Sequence, residues 1–258
     1  MIPKIIHYCW FGPKEMPEQE KKYLESWKKY CPDYKLMCWS EDTFDITSNL
    51  YVKEAYENRK YAFVTDYVRL YAMYNYGGIY MDTDVEVCKN MDELLQYPAF
   101  SGFESDNKIP TGTMGAEKGN PWIGLLLKDY ESIRFIRPNG TLDMVTNTER
   151  ITSTTLQNYS IKLEGMQLQT DDFVMLPFEY LCAKDWQTDK IIRTDNTYTI
   201  HHFANSWQSN KVKVYGKFRR TVKKSKNPVE FFRLTLYDGN REGKHPALSL
   251  AVIHPILF

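Results

Sequence analysis

The sequence predicts an α/β fold built on a parallel sheet. Three observations carry that expectation. The first forty residues read strand, helix, strand. Residues 59–76 hold the strongest helical pattern in the chain, which stops at Gly77-Gly78 and passes at once into a β-branched run over 79–87. Strand-like and helix-like segments then continue to about residue 207 without an internal repeat, a low-complexity tract or a Pro/Ser-rich linker.

In chain order, residues 2–10 form a short apolar run with Ile5, Ile6 and Tyr8, closed by Phe11-Gly12-Pro13. This is the pattern of a buried strand followed by a turn. Residues 17–30 are polar and helix-prone, with Tyr23, Leu24 and Trp27 at helical spacing, and 34–39 form a second short strand. Over 59–76, Ala62, Val64, Val68, Tyr71, Ala72 and Tyr76 mark a broad apolar face, and the glycine pair is a helix stop. Residues 79–87 read as a strand carrying Asp82-Thr83-Asp84. Asn120-Pro121 starts a helix over 122–130, and 173–178 and 197–202 read as later strands.

Composition narrows the function. The 258 residues hold 33 Lys+Arg and 33 Asp+Glu, so the net charge is zero, which argues against a general nucleic-acid binder. A 43% hydrophobic and 26% charged content excludes bulk disorder, and a chain of this length buries roughly 70–75% of its unfolded surface. Aromatic residues reach 15%, a level that suits stacking on flat rings or sugar faces and equally suits a plain core. The five cysteines (9, 31, 38, 88 and 182) are odd in number, scattered and without a CxxC pair. They form neither a disulfide framework nor a zinc site and fit a reducing cytoplasm. The N-terminal apolar run is broken by His7 and lacks a basic leader, so no signal peptide is expected, and the apolar stretch 247–258 is too short to span a bilayer.

The chain changes character after residue 208. Asp and Glu are absent from 196 to 229, and 211–226 holds eight basic residues among Val212, Val214, Tyr215, Phe218 and Val222. Residues 209–258 are therefore read as a basic amphipathic C-terminal extension. It would either dock on an anionic membrane surface, at about 1 kcal/mol per basic group, or pack as a solvated helix end.

Four groups of residues carry chemistry. On a strand, Asp82 and Asp84 would face the same way and repel each other, and a divalent cation bound by hard oxygens relieves that repulsion. DxD also occurs in loops and as helix caps. Asp66 and Arg69, at i and i+3 on a helix apolar nearly all round, are either a salt bridge or an anchor for a polar substrate. The run His201-His202-Phe203-Ala204-Asn205-Ser206-Trp207 packs imidazole ligands and phosphate donors into seven residues, or simply ends a packed strand. Trp10, at the carboxyl edge of the first strand, either stacks on a base or belongs to the core.

Residues 2–12 (IPKIIHYCWFG), Ala62-x-x-x-Asp66-x-x-Arg69, the run 77–84 (GGIYMDTD) and His201-His202-x-x-x-Ser206-Trp207 stand in an order that resembles glycosyltransferase family 32. These are the glycosyltransferases with a DXD sugar-binding region, including bacterial capsular-polysaccharide enzymes. They are related to yeast α-1,6-mannosyltransferases and, more distantly, to the clostridial glucosylating toxins. The resemblance covers about residues 1–208. It implies a GT-A fold, a Rossmann-like α/β domain that binds a nucleotide-sugar with Mn²⁺ or Mg²⁺ and transfers the sugar with retention. It implies that Asp84 ligates the metal and Asp82 holds the ribose or a metal-bound water. Asp66, Arg69 and Tyr80 would grip the donor, and Trp10 would stack on the base. Ser206 and Trp207 would close over the diphosphate, and His202 or Asn205 would lie near the metal. The runs 111–116 and 146–158 would line the acceptor side, with Thr152-Ser153-Thr154 where many eukaryotic relatives carry a Thr-Gly-Pro turn.

The function expected is a cytoplasmic hexosyltransferase of cell-surface glycan synthesis, peripheral on the inner membrane face. It would move a sugar from a UDP-hexose or GDP-mannose to a growing, lipid-linked glycan. The rivals are a metal-dependent nucleotidyltransferase or phosphodiesterase, and a non-catalytic sugar-binding protein on the same fold.

Overall fold

The computed structural model describes residues 1–110 and 112–204. Asn205, Ser206 and Trp207, the domain boundary expected at 208/209 and the expected basic helix lie outside the described residues. In chain order the elements are β1 (Ile5–Cys9), α1 (Glu18–Tyr30), β2 (Lys35–Trp39), α2 (Leu50–Glu57), α3 (Tyr61–Tyr76), β3 (Gly78–Met81), β4 (Val85–Val87), β5 (Ala99–Gly102), β6 (Thr113–Ala116), α4 (Pro121–Asp129), α5 (Asn147–Asn158), β7 (Leu168–Gln169), β8 (Val174–Leu176), α6 (Phe178–Leu181) and β9 (Thr199–His201).

Among the described residues, seven strands form one sheet in the order β2-β1-β3-β6-β5-β8-β7, and β4 pairs with β9 in a separate ribbon. The α/β class expected from the sequence is observed, but the sheet is mixed. β2, β1, β3, β5 and β8 run one way, and β6 and β7 run against them. The reason lies in the connections. Only residues 103–112 separate β5 from β6, too few for the crossover that a parallel neighbour needs.

Side chains alternate across the sheet and build two apolar layers. Tyr80, Met114, Ala116 and Met175 point to one face, where α3 and α4 supply Val64, Val68, Trp122 and Ile123. Ile6, Ile79, Phe100, Val174 and Leu176 point to the other, where Trp27 of α1 packs. Burial on both faces explains why β3, β5, β6 and β8 are buried at every position.

Gly77 and Gly78 set the link from α3 to β3. Their φ angles are +68° and +115°, and a Cβ would stand 2.8 Å from the Lys118 nitrogen at Gly77 and 2.8 Å from the Ile5 oxygen at Gly78. Only glycine meets both requirements without strain. The helix therefore stops one residue before the strand, and the acid pair after β3 is tied closely to α3.

Candidate functional site

The carboxyl ends of the parallel strands open onto a cleft of about 1340 Å³, lined by Trp10 after β1, Asp82 and Asp84 after β3, and Glu104 after β5. Open α/β sheets bind ligands on this rim.

The acid pair is not on a strand, as the sequence suggested. β3 ends at Met81, and Asp82 to Val85 form a turn closed by the Val85 N–H donating to the Asp82 carbonyl (3.0 Å). The Asp82 N–H donates to the Gly112 carbonyl (2.9 Å). The chain then leaves the main sheet as β4 and pairs antiparallel with β9, in a register that sets Val85 opposite His201. This turn, rather than strand pleating, brings the two carboxylates together.

Asp82, Asp84 and His201 each offer one ligand atom, all within 4.8 Å of one another. His201 Nε2 lies 3.4 Å from Asp84 Oδ1, and the Ala204 N–H donates to Asp84 Oδ2 (2.7 Å). Burial opposes charge on Asp84, but the imidazolium and these hydrogen bonds outweigh it and hold the carboxyl at about 2. Burial likewise opposes the His201 cation, and Asp84 overrides it, raising that group well above its ordinary value.

His202, expected at the metal, faces elsewhere. Its ring stacks on Tyr23 (centroids 4.5 Å apart) and its Nε2 meets Glu86 Oε2 at 2.8 Å. His201 ends β9 and His202 follows it directly, and successive residues of extended chain point to opposite sides, so only one of the two histidines looks into the cleft. The β4–β9 register selects His201.

Asp66 and Arg69 are buried, at 7% and 6% exposure, as the apolar surround of α3 requires. Arg69 Nη2 donates to Asp82 Oδ1 at 3.0 Å and reaches Asp66 Oδ1 at 3.5 Å. The Tyr80 hydroxyl also donates to Asp82 Oδ1 (3.0 Å), and the Arg69 guanidinium lies 4.5 Å over the Tyr80 ring. Tyr80 and Arg69 thus fix one oxygen of Asp82. Burial raises Asp66 to about 7 against the pull of Arg69. Arg69 stays charged despite its own burial because Asp82, Tyr80 and Asp66 together raise it.

Trp10 lines the cleft, its indole N–H donating to the Lys14 carbonyl (2.7 Å). The structure thus brings Trp10, Asp66, Arg69, Tyr80, Asp82 and Asp84 to one cleft.

One residue in the cleft, Glu104, escaped sequence reasoning, and another, Gly112, was expected only as part of the run 111–116 on the acceptor side. Gly112 sits where a Cβ would stand 3.2 Å from both Asp82 Oδ2 and His201 Cδ2. Glu104 follows the apolar run 99–103, and a carboxylate closing a buried strand on this rim is the signal that could have found it.

Residues 17–101 match the family described as "Glycosyltransferase sugar-binding region containing DXD motif". The chain is 33% identical over 138 residues to inositol phosphoceramide mannosyltransferase 3 of Schizosaccharomyces pombe, covering 52% of this chain and 38% of that protein. It is 28% identical over 219 residues to an uncharacterized glycosyltransferase of Acanthamoeba polyphaga mimivirus, covering 80% and 84% respectively. Among solved structures it is similar to the PaToxG glycosyltransferase, with a TM-score of 0.44 at 20% identity over 62% of this chain and 70% of that one. The resemblance to the DXD glycosyltransferases is thus borne out over the segment that carries Asp66, Arg69, Asp82 and Asp84. The chain spans well under half the length of the mannosyltransferase it matches.

Proposed function

We propose that the protein is a metal-dependent retaining glycosyltransferase that uses a nucleotide-sugar donor. The observation that carries this reading is the Asp82–Asp84–His201 group on the cleft rim, beside the buried Asp66–Arg69 pair. Two carboxylates and one imidazole suit Mn²⁺, with Mg²⁺ the alternative. Gly112 favours a cation there, because any side chain would crowd Asp82 Oδ2 and His201. A bound cation would neutralise charge developing on the departing nucleoside diphosphate.

The chain's own residues do the rest. Arg69 and Tyr80 lock the Asp82 carboxylate by one oxygen and leave Oδ2 toward Gly112 and His201. Arg69 adds positive charge beneath the diphosphate position. Asp66, deep in the cleft, takes hydroxyls of the transferred sugar. Trp10 offers an indole to the base at the far end of the rim. Retention follows from attack on the face the leaving phosphate departs from, since Asp66 is tied to Arg69 and unsuited to act as a nucleophile.

The donor is a UDP-hexose or GDP-mannose, and the acceptor is a growing, lipid-linked glycan. Support for a lipid-linked acceptor comes from the basic run 211–226 and from relatives whose names refer to ceramide. No helix among the described residues is long and apolar enough to cross a membrane. Peripheral contact with anionic lipid is the mode of association proposed. Cosedimentation with anionic liposomes at low salt checks it, and its absence together with use of soluble acceptors alone would contradict it.

The activity is tested by incubating the protein with UDP-Glc, UDP-Gal, UDP-GlcNAc, UDP-GalNAc and GDP-Man, with and without Mn²⁺, and measuring free nucleoside diphosphate. Metal-dependent release from one donor is expected. No release, with no thermal stabilisation by any nucleotide plus Mn²⁺, would overturn the reading.

A further inference from the structure

We propose that Glu104, held by Thr148, is the acceptor-binding carboxylate of this site and takes the hydroxyls of an incoming sugar or polyol. This rests on the glycosyltransferase reading above and assigns the part of the cleft that the donor-binding residues leave unexplained.

The placement follows from the topology. Across the sheet, β1, β3, β6 and β5 are successive neighbours. Trp10 follows β1, Asp82 and Asp84 follow β3, and Glu104 follows β5. A nucleotide-sugar laid along this rim runs from the base, over the first strand, to the diphosphate, over the acid pair. The next position along is that of the group about to be joined.

The side chain is built to stay there. The Glu104 N–H donates to the Lys108 carbonyl (2.9 Å), closing a tight turn with the Ser105–Lys108 bridge. The Thr148 hydroxyl donates to Glu104 Oε2 (3.2 Å). Thr148 is itself fixed in the first turn of α5, which begins with a reciprocal capping box between Thr146 and Glu149. Lys108, in the same turn as Glu104, reaches Glu149 (3.9 Å) instead. Glu104, Lys108, Thr146, Asn147 and Thr148 line the same cleft as Asp82 and His201.

The chemistry restricts what these residues accept. Among the described residues Glu104 has no ion pair, and a half-buried carboxylate of that kind is costly unless a ligand supplies donors. A phosphate without its own cation is disfavoured beside this carboxylate, because like charges so close repel. Hydroxyl groups fit. An ionised carboxylate accepts about four hydrogen bonds, and Thr148 takes one of them. Burial pushes the Glu104 carboxyl up, while His201 and the Thr148 hydroxyl pull it down.

The test compares wild-type protein with E104Q and T148V in full-length chains. Acceptor probes are the p-nitrophenyl glycosides of α-mannose, α-glucose and β-galactose, and myo-inositol, taking whichever the wild type glycosylates fastest. E104Q keeps the shape and removes the charge. It is expected to raise the acceptor KM at least tenfold, with the Kd for nucleoside diphosphate plus Mn²⁺ within twofold of wild type. T148V, which frees the carboxylate to swing, is expected to raise the acceptor KM by a smaller factor. An unchanged acceptor KM in E104Q overturns the proposal. A raised donor KM with an unchanged acceptor KM overturns it too, by placing Glu104 on the transferred sugar. A wild-type protein that neither binds nucleotide nor turns over any donor would instead contradict the glycosyltransferase reading itself.

Discussion

Arg69 and Asp82 are joined by a 3.0 Å hydrogen bond between Nη2 and Oδ1, and the same nitrogen lies 3.5 Å from Asp66. One guanidinium thus orients the first acid of the DxD turn and partly neutralises a second, more deeply buried one. The helix and the turn that hold these residues meet through the glycine pair 77–78. Removing Arg69 would therefore disturb stability and the site together.

Arg69→Met would leave Asp66 buried without its cation. Breaking a buried pair in this way costs about 3–5 kcal/mol. The pH dependence has a definite sign. The Asp66 carboxyl is raised from 3.8 to about 7 in the fold, so its contribution to stability is fully present below 3.8 and is lost as pH rises through 7. Without Arg69 the group is raised further, and the penalty deepens above neutrality. Urea unfolding at pH 5.5 and 8 should show the larger loss at pH 8. An equal loss at both would contradict this account of Asp66.

The two adjacent histidines should behave differently. His201→Ala removes a proposed ligand and should weaken Mn²⁺ binding by more than the roughly 10–100-fold that outer partners of a metal site contribute. His202→Ala breaks the contacts with Tyr23 and Glu86 and should leave Mn²⁺ affinity nearly unchanged. Calorimetric titration of both variants distinguishes them. A reversed ranking would place His202, and not His201, at the cation and contradict the proposed ligand set.

Metal affinity should rise with pH. In the cation-free protein, Asp84 keeps His201 protonated well above its ordinary value. A proton and a cation compete for the same imidazole, so affinity should fall by about tenfold for each unit below the His201 pKa. Mn²⁺ titrations between pH 6 and 8 check this. A flat profile would show that His201 is not a ligand.

Gly112→Ala would place a methyl 3.0 Å from Val85 Cγ2 and 3.2 Å from Asp82 Oδ2. Crowding of this kind costs about 1–3 kcal/mol in stability. By displacing Asp82 and His201 together it should also lower Mn²⁺ affinity by about tenfold, the scale of a disturbed supporting contact. Calorimetry and thermal unfolding of the same sample separate the two effects.

Local pattern made much of this legible. The helix at 59–76, observed as α3 (Tyr61–Tyr76), was readable because its apolar face and glycine stop are contiguous in sequence. Asp66 and Arg69 stood out because charged residues inside that face needed a partner. The Thr146-x-x-Glu149 capping box was present as a start signal for α5, though the segment was read only as part of the acceptor side. What local pattern could not show was pairing over distance. The β4–β9 ribbon joins residues more than a hundred positions apart, and no periodicity within either segment selects His201 over His202. The turn at Asp82 was hidden for a related reason. Val85 and Val87 continue a β-branched run and mask the point where the chain leaves the sheet.

The most direct test of the central claim is donor turnover by wild type and Asp84→Asn in parallel, each with Mn²⁺ and with EDTA. The claim is that the Asp82–Asp84–His201 group holds a cation that activates a nucleotide-sugar. It predicts that wild type releases nucleoside diphosphate only with the metal, and that Asp84→Asn loses at least about 10²–10³ in rate while keeping its circular dichroism, the scale of losing a key charge stabiliser. Near-wild-type turnover in Asp84→Asn, or wild-type turnover undiminished by EDTA, would contradict it.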